Sequence, residues 1–198
     1  MANFEQARDY VLGRLERELP KNLYYHGIHH TRDDVLPAAE KLGKLEGLVG
    51  EDLLLLRTAA LYHDIGYIES YSKNEPIGVR IASETLPTFG YNKKQIEAIG
   101  ELIMATQVYF VNGGLIQKPN ENSLLQKIIC DADLDNLGRE DFYLVSDNLR
   151  RELKEHGMGK TLKGWYEGQI KFLEGHSYFT NSSRNLRNEG KLRHLDEI

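Results

Sequence analysis

Residues 52–66 read DLLLLRTAALYHDIG, and no other stretch constrains this chain as tightly. Leucine and alanine surround most of the helical circumference, so the segment suits a core helix of a bundle. It then runs directly into His63-Asp64 with no polar approach. Burying an imidazole beside a carboxylate is unfavourable unless a partner compensates both. A metal ion is such a partner, and Gly66 ends the helix just beyond the pair.

Helical periodicity extends over nearly the whole chain. Phe4, Ala7, Val11, Leu15 and Leu19 recur at threes and fours until Pro20. A second helix is expected through DDVLPAAEKLGKL, with Pro37 either kinking it or lying in its first turn. Further helices fit residues 75–87, 92–106, 122–130, 139–156, 162–175 and 182–195. Strand signals are scarce. The segment TQVYFVNGGLI (106–116) alternates weakly around Gly113-Gly114 and could form a hairpin, but is read as a loop because no sheet is available to it. The reading is all-α, a single-domain helical bundle over residues 1–198.

Bulk properties narrow the function. A chain of 198 residues with 40% hydrophobic and 28% charged residues can bury a sizeable core. Its net charge of −5 offers no broad footprint for a nucleic acid polymer or an anionic membrane. The single cysteine, Cys130, is read as a buried, reduced thiol, and no apolar stretch is long enough to cross a bilayer. MANFEQARDY lacks a signal peptide's basic start and apolar run, so a cytoplasmic location is expected.

Four places carry chemistry: YYHGIHHT with His26, His29 and His30; His63-Asp64; CDADLDNLG with Asp131, Asp133 and Asp135; and EGHSYFT with His176. Taken singly, His156, His176 and His194 read as ordinary surface or core histidines. His26 and His30 share a helical face at i and i+4, while His29 points elsewhere. Taken in order, His30, His63-Asp64 and Asp133 offer two imidazoles and two carboxylates from three helices. Such mixed ligands suit an octahedral Mn, Fe, Ni, Co or Mg ion, and Zn less typically. Four protein ligands would leave two positions for water and substrate.

The order His … His-Asp … Asp resembles the HD superfamily of metal-dependent phosphohydrolases, in particular its small bacterial-type members. LYYHGIHHTRDDVLPAAEKL is similar to the family's opening segment, TAALYHDIGY to its central motif, and LIMATQ with IICDADLDNLGR to its closing motif. The likeness spans roughly residues 22–140, with helices from 141–198 expected to pack on that core. It implies one divalent ion held by His30, His63, Asp64 and Asp133, with Asp131 as the alternative last ligand. It aligns His26 with the histidine that protonates the leaving group in related cyclic-nucleotide phosphodiesterases, and Asp64 or Asp133 is expected to orient the attacking water. Lys73 and Arg80, just after the central motif, are the candidates for meeting a phosphate.

The chain also departs from its relatives. Asn74 stands where many carry a further histidine, and no histidine lies between His63 and His156, so a single metal is expected. The Glu-Asp pair of the family's guanosine-tetraphosphate hydrolases is missing. Tyr67 replaces the glutamate of its nucleoside-monophosphate phosphatases. The expected activity is hydrolysis of a phosphomonoester or phosphodiester, with a small phosphorylated, nucleotide-like substrate. The alternatives are a non-catalytic metal- or nucleotide-binding sensor and an HD-type iron oxygenase. The aromatic, basic tail could cover the site, and its Trp165, Phe172 and Phe179 are read as core contacts rather than base-stacking platforms.

Overall fold

The computed structural model describes residues 2–111 and 114–198. The fold is all-α, with α1 (Phe4–Glu18), α2 (Leu36–Leu45), α3 (Gly50–Tyr62), α4 (Asn74–Thr85), α5 (Lys93–Ala105), α6 (Leu124–Asp133), α7 (Phe142–Glu155), α8 (Leu162–Gly175) and α9 (Asn181–Glu197). Capping side chains fix several starts. Asn3, Ser123, Thr161 and Thr180 each accept a backbone N–H from the first turn, and Asn92 with Gln95 forms a capping box.

The leucine-rich α3 is central, packed by α1, α2, α5 and α6, and Leu56, Ala59, Ala60, Leu61 and Tyr62 are fully buried. Pro37 lies in the first turn of α2, which settles the choice between first turn and kink. Ahead of it, residues His30–Val35 form a wide π-helical turn, and the Leu36 N–H reaches back five residues to the Thr31 carbonyl. Such turns are rare and recur at functional sites.

The segment read as a loop is a short antiparallel hairpin, β1 (Val108–Val111) with β2 (Gly114–Gln117), in the register Val108 to Gln117. It needs no larger sheet, because β2 rests on α8. Gly113, part of the turn signal, lies outside the described residues. A second, smaller core of Leu134, Leu137, Phe142, Leu173 and Tyr178 joins the C-terminal helices to the turn after α6. α9 is held there by the two-pronged Arg187–Asp135 pair at 2.7 and 2.8 Å.

Candidate metal centre

Three helix ends meet at one point. His63 follows the last residue of α3, Asp64 comes next, Asp133 closes α6, and His30 opens the π turn. Helix C-termini carry partial negative charge, so two of these ends favour a cation even before their side chains are counted. One ligand atom each from His30, His63 and Asp64 lies within 4.8 Å of the others. Asp133 Oδ1 stands 3.2 Å from His30 Nε2 and 3.6 Å from His63 Nε2.

The donor set fits a divalent ion. His63 Nε2 and Asp64 Oδ2 are buried, 3.2 Å apart, and neither has a hydrogen-bond partner. His30 Nε2 is 3.7 Å from the same carboxylate oxygen. Buried polar atoms without partners are rare in folded proteins, and converging ones mark a place for a bound group. The other atoms of these residues are engaged, which holds the inward ones in place. His63 Nδ1 donates to the Ala60 carbonyl at 2.8 Å, so Nε2 is left as the donor atom for a cation. Asn74 Nδ2 donates to Asp64 Oδ1 at 3.0 Å and to the His63 carbonyl at 3.2 Å. Gln117 Nε2, from the hairpin, donates to Asp133 Oδ2 at 2.7 Å.

Charge is arranged to match. Burial opposes protonation of His30, yet Asp133, Asp34 and Asp64 outweigh it and raise its pKa to about 10. Burial likewise opposes charge on His63, and Asp64 and Asp133 pull its pKa up. Burial disfavours ionised Asp64, but His63, His26 and His30 hold its carboxyl below the usual range. The carboxylates that favour positive charge on the two imidazoles favour a cation at the same point.

His26 does not lie on a helix, as the i, i+4 spacing implied. The Tyr25 and His26 N–H groups leave the helical pattern and donate to Glu152 Oε2 at 2.8 and 3.0 Å. The His26 ring is nevertheless 6.0 Å from that of His30 and stacks on Tyr67 at 4.4 Å. Its Nδ1 bonds Glu152 Oε1 at 2.5 Å, and the Tyr71 hydroxyl donates to the same oxygen at 3.0 Å. Glu152, on α7, is fully buried and was missed by the sequence reading. Its signal was faint: a carboxylate three residues after Leu149, on the inward stripe of an otherwise charged helix.

A cavity of about 540 Å³ opens beside the cluster, lined by His26, Tyr67, Tyr71, Lys73, Asp133 and the C-terminal helices. Lys73 is therefore at the site. Arg80 is not: its exposed guanidinium is taken by Glu69 at 2.6 Å and Glu84 at 3.0 Å. Asp131 is not a rival to Asp133, because its two oxygens accept the Phe179 and Thr180 N–H groups at 2.8 Å and the Thr180 hydroxyl at 2.7 Å, tying down the start of α9. Asn74 donates through Nδ2 to the His63 carbonyl and Asp64, while its Oδ1 is buried without a partner. Glu75 lines the cavity, whereas Glu69 is paired with Arg80. His29 lies outside the cluster, His194 bonds the Leu137 carbonyl, and Cys130 is buried with its thiol against the Ala105 carbonyl. Phe179 packs on the main core, but Trp165 and Phe172 line the cavity as well as being packed.

The HD domain family model matches residues 32–135. His26 and His30 lie just before that span, and Glu152 lies beyond it. The crystal structure of Bacillus subtilis YpgQ in complex with ADP is similar in fold, with a TM-score of 0.65 at 19% identity over 98% of this chain and 95% of that one. Comparison with curated proteins finds no match.

Proposed function

The chain belongs to the HD domain family, a superfamily of metal-dependent phosphohydrolases, and on that premise we propose that it hydrolyses a phosphate ester of a nucleotide-like small molecule. The observation that carries this reading is the convergence of the unpartnered His63 Nε2 and Asp64 Oδ2 with His30 and Asp133 beside an open cavity. His30, His63, Asp64 and Asp133 would hold one divalent ion, Mn, Fe, Ni, Co, Mg or Zn. Such an ion, when bound, supplies an acidified water and neutralises phosphate charge.

The chain's own residues do the remaining work. Asp64, fixed at Oδ1 by Asn74, keeps Oδ2 turned to the place of the ion, where it would both ligate and orient the water beside it. Because Glu152 occupies His26 Nδ1, Nε2 is the nitrogen left for substrate, and the buried carboxylate stabilises the imidazolium that gives its proton to the leaving oxygen. Lys73 at the cavity supplies positive charge for a phosphate oxygen. The crystallised complex of a protein of similar fold with ADP supports a nucleotide as the substrate. We read residues 1–198 as one working unit of this kind. No helix among the described residues is long and apolar enough to cross a membrane, and we place the protein in the cytoplasm.

A screen of phosphomonoesters, phosphodiesters and nucleotides with Mn-loaded protein tests the reading. Phosphate ester cleavage should appear, vanish with a chelator and vanish in His63→Ala. Tight metal binding with no cleavage of any phosphoester would point instead to a sensor.

A further inference from the structure

The cavity wall contributed by α8 and the turn after α6 has features that a phosphate site does not need. Asn136 lies three residues past Asp133 and lines the cavity. It is buried, and its Oδ1 is enclosed without a hydrogen-bond partner. Gln169 is buried on the same wall, its Oε1 accepting a long 3.3 Å bond from the Ser146 hydroxyl. Trp165, Gln169 and Phe172 recur at i, i+4 and i+7, so one face of α8 presents two aromatic rings with an amide between them. Gly168 lines the same cavity, and a Cβ there would meet only Lys160 Nζ, at 3.5 Å. A glycine inside a helix is unfavourable for that helix, and here it leaves a recess beside the aromatic rings.

Each feature narrows the occupant. An enclosed amide oxygen is destabilising until a donor reaches it, and a phosphate dianion has no donor. An alkyl chain would leave Asn136 Oδ1 unpaired. A planar heterocycle with N–H groups satisfies both the amides and the aromatic surface. We infer that this wall binds the nucleobase of the substrate, with Trp165 and Phe172 against its ring and Asn136 and Gln169 on its polar edge. The inference rests on the phosphohydrolase reading only in giving the bound molecule a phosphate. The same cavity is lined by His26 and Asp133, so one nucleotide would reach both ends.

Trp165 is the chain's one tryptophan, so its emission reports on this wall directly. The protein as purified is titrated with the four common ribonucleosides, with ribose 5-phosphate and with octanoate. At least one nucleoside should change Trp165 emission saturably, while ribose 5-phosphate and octanoate should not. Asn136→Leu should weaken that nucleoside about tenfold, and Asn136→Asp, which keeps the acceptor, should retain it. Gly168→Leu, which favours the helix but fills the recess, should abolish the response with circular dichroism and Tm preserved. No response to any nucleoside at millimolar concentration overturns the inference. So does octanoate binding as well as the nucleosides with Asn136→Leu indifferent. Metal-dependent cleavage of p-nitrophenyl phosphate is measured separately. Cleavage without nucleoside binding sinks the base site alone, and nucleoside binding without cleavage of any phosphoester sinks the hydrolase reading alone.

Discussion

At His26 the chemistry depends on a carboxylate 126 residues away in sequence. His26→Ala should lower kcat by about 10²- to 10⁴-fold with bound metal unchanged. Glu152→Gln leaves a ring whose Nδ1 partner no longer stabilises the charged form, and should lower kcat by about 10²-fold or more. A metal assay beside the kinetics separates this role from ligation, since loss of metal in either variant would make His26 part of the metal shell. Glu152 also predicts a pH effect on stability. Burial opposes its ionisation, but the bonds from His26 and Tyr25 hold its pKa below the ordinary 4.5. Its contribution is therefore complete above 4.5 and lost as pH falls through the lower folded value. Urea melts of wild type and Glu152→Gln should differ most at neutral pH and converge in acid. A gap that widened on acidification would contradict the assignment. His63 and Asp64 were legible because such a pair straight after an apolar run is conspicuous. His30 and Asp133 were pointed to only by motif order and family likeness, with Asp131 left open. Glu152 was not legible, since one more carboxylate on a charged helix looks solvated until its partner is known.

At the scale of elements, two junctions hold the site. Gly66 follows the His-Asp pair because the chain there passes against α4: a Cβ would lie 2.1 Å from the Asn74 carbonyl oxygen. Gly66→Ala should displace the start of α4, destabilise by about 1–3 kcal/mol and weaken metal binding as Asn74 moves off Asp64. An unchanged Tm and metal affinity would show that the approach is not limiting. Asp131 anchors α9, and Asp131→Ala would leave the Phe179 and Thr180 N–H groups without their partner. A loss of about 3 kcal/mol is expected in a urea melt, with metal stoichiometry kept; loss of the metal instead would restore Asp131 as a ligand. Helices were readable to within about three residues at their ends, because their apolar stripes and caps are local signals. The hairpin was not, because its strands have four residues each and its support comes from α8, which local sequence does not announce. The π turn before Pro37 was hidden for a similar reason: it answers both the proline and the need to aim His30 at two distant helices.

Across the whole molecule, the helices of residues 32–135 and the turn that carries His30 just before them bring the cluster together, and the C-terminal helices close a cavity over it. Sequence pattern carried the all-α class and pointed to the residues that cluster in the fold, yet it placed Trp165 and Phe172 only in the core. A buried ring and a cavity-lining ring have the same helical spacing, and only the three-dimensional gap beside Gly168 distinguishes them. The central claim is that one ion held by His30, His63, Asp64 and Asp133 makes this protein a phosphohydrolase. It is tested most directly by titrating Mn into metal-stripped protein while following bound metal and phosphate ester cleavage together. Cleavage should rise in proportion to bound metal, saturate near one equivalent and be absent in His63→Ala. Saturation at one equivalent with no cleavage of any phosphate ester, or full binding and cleavage in His63→Ala, would contradict it.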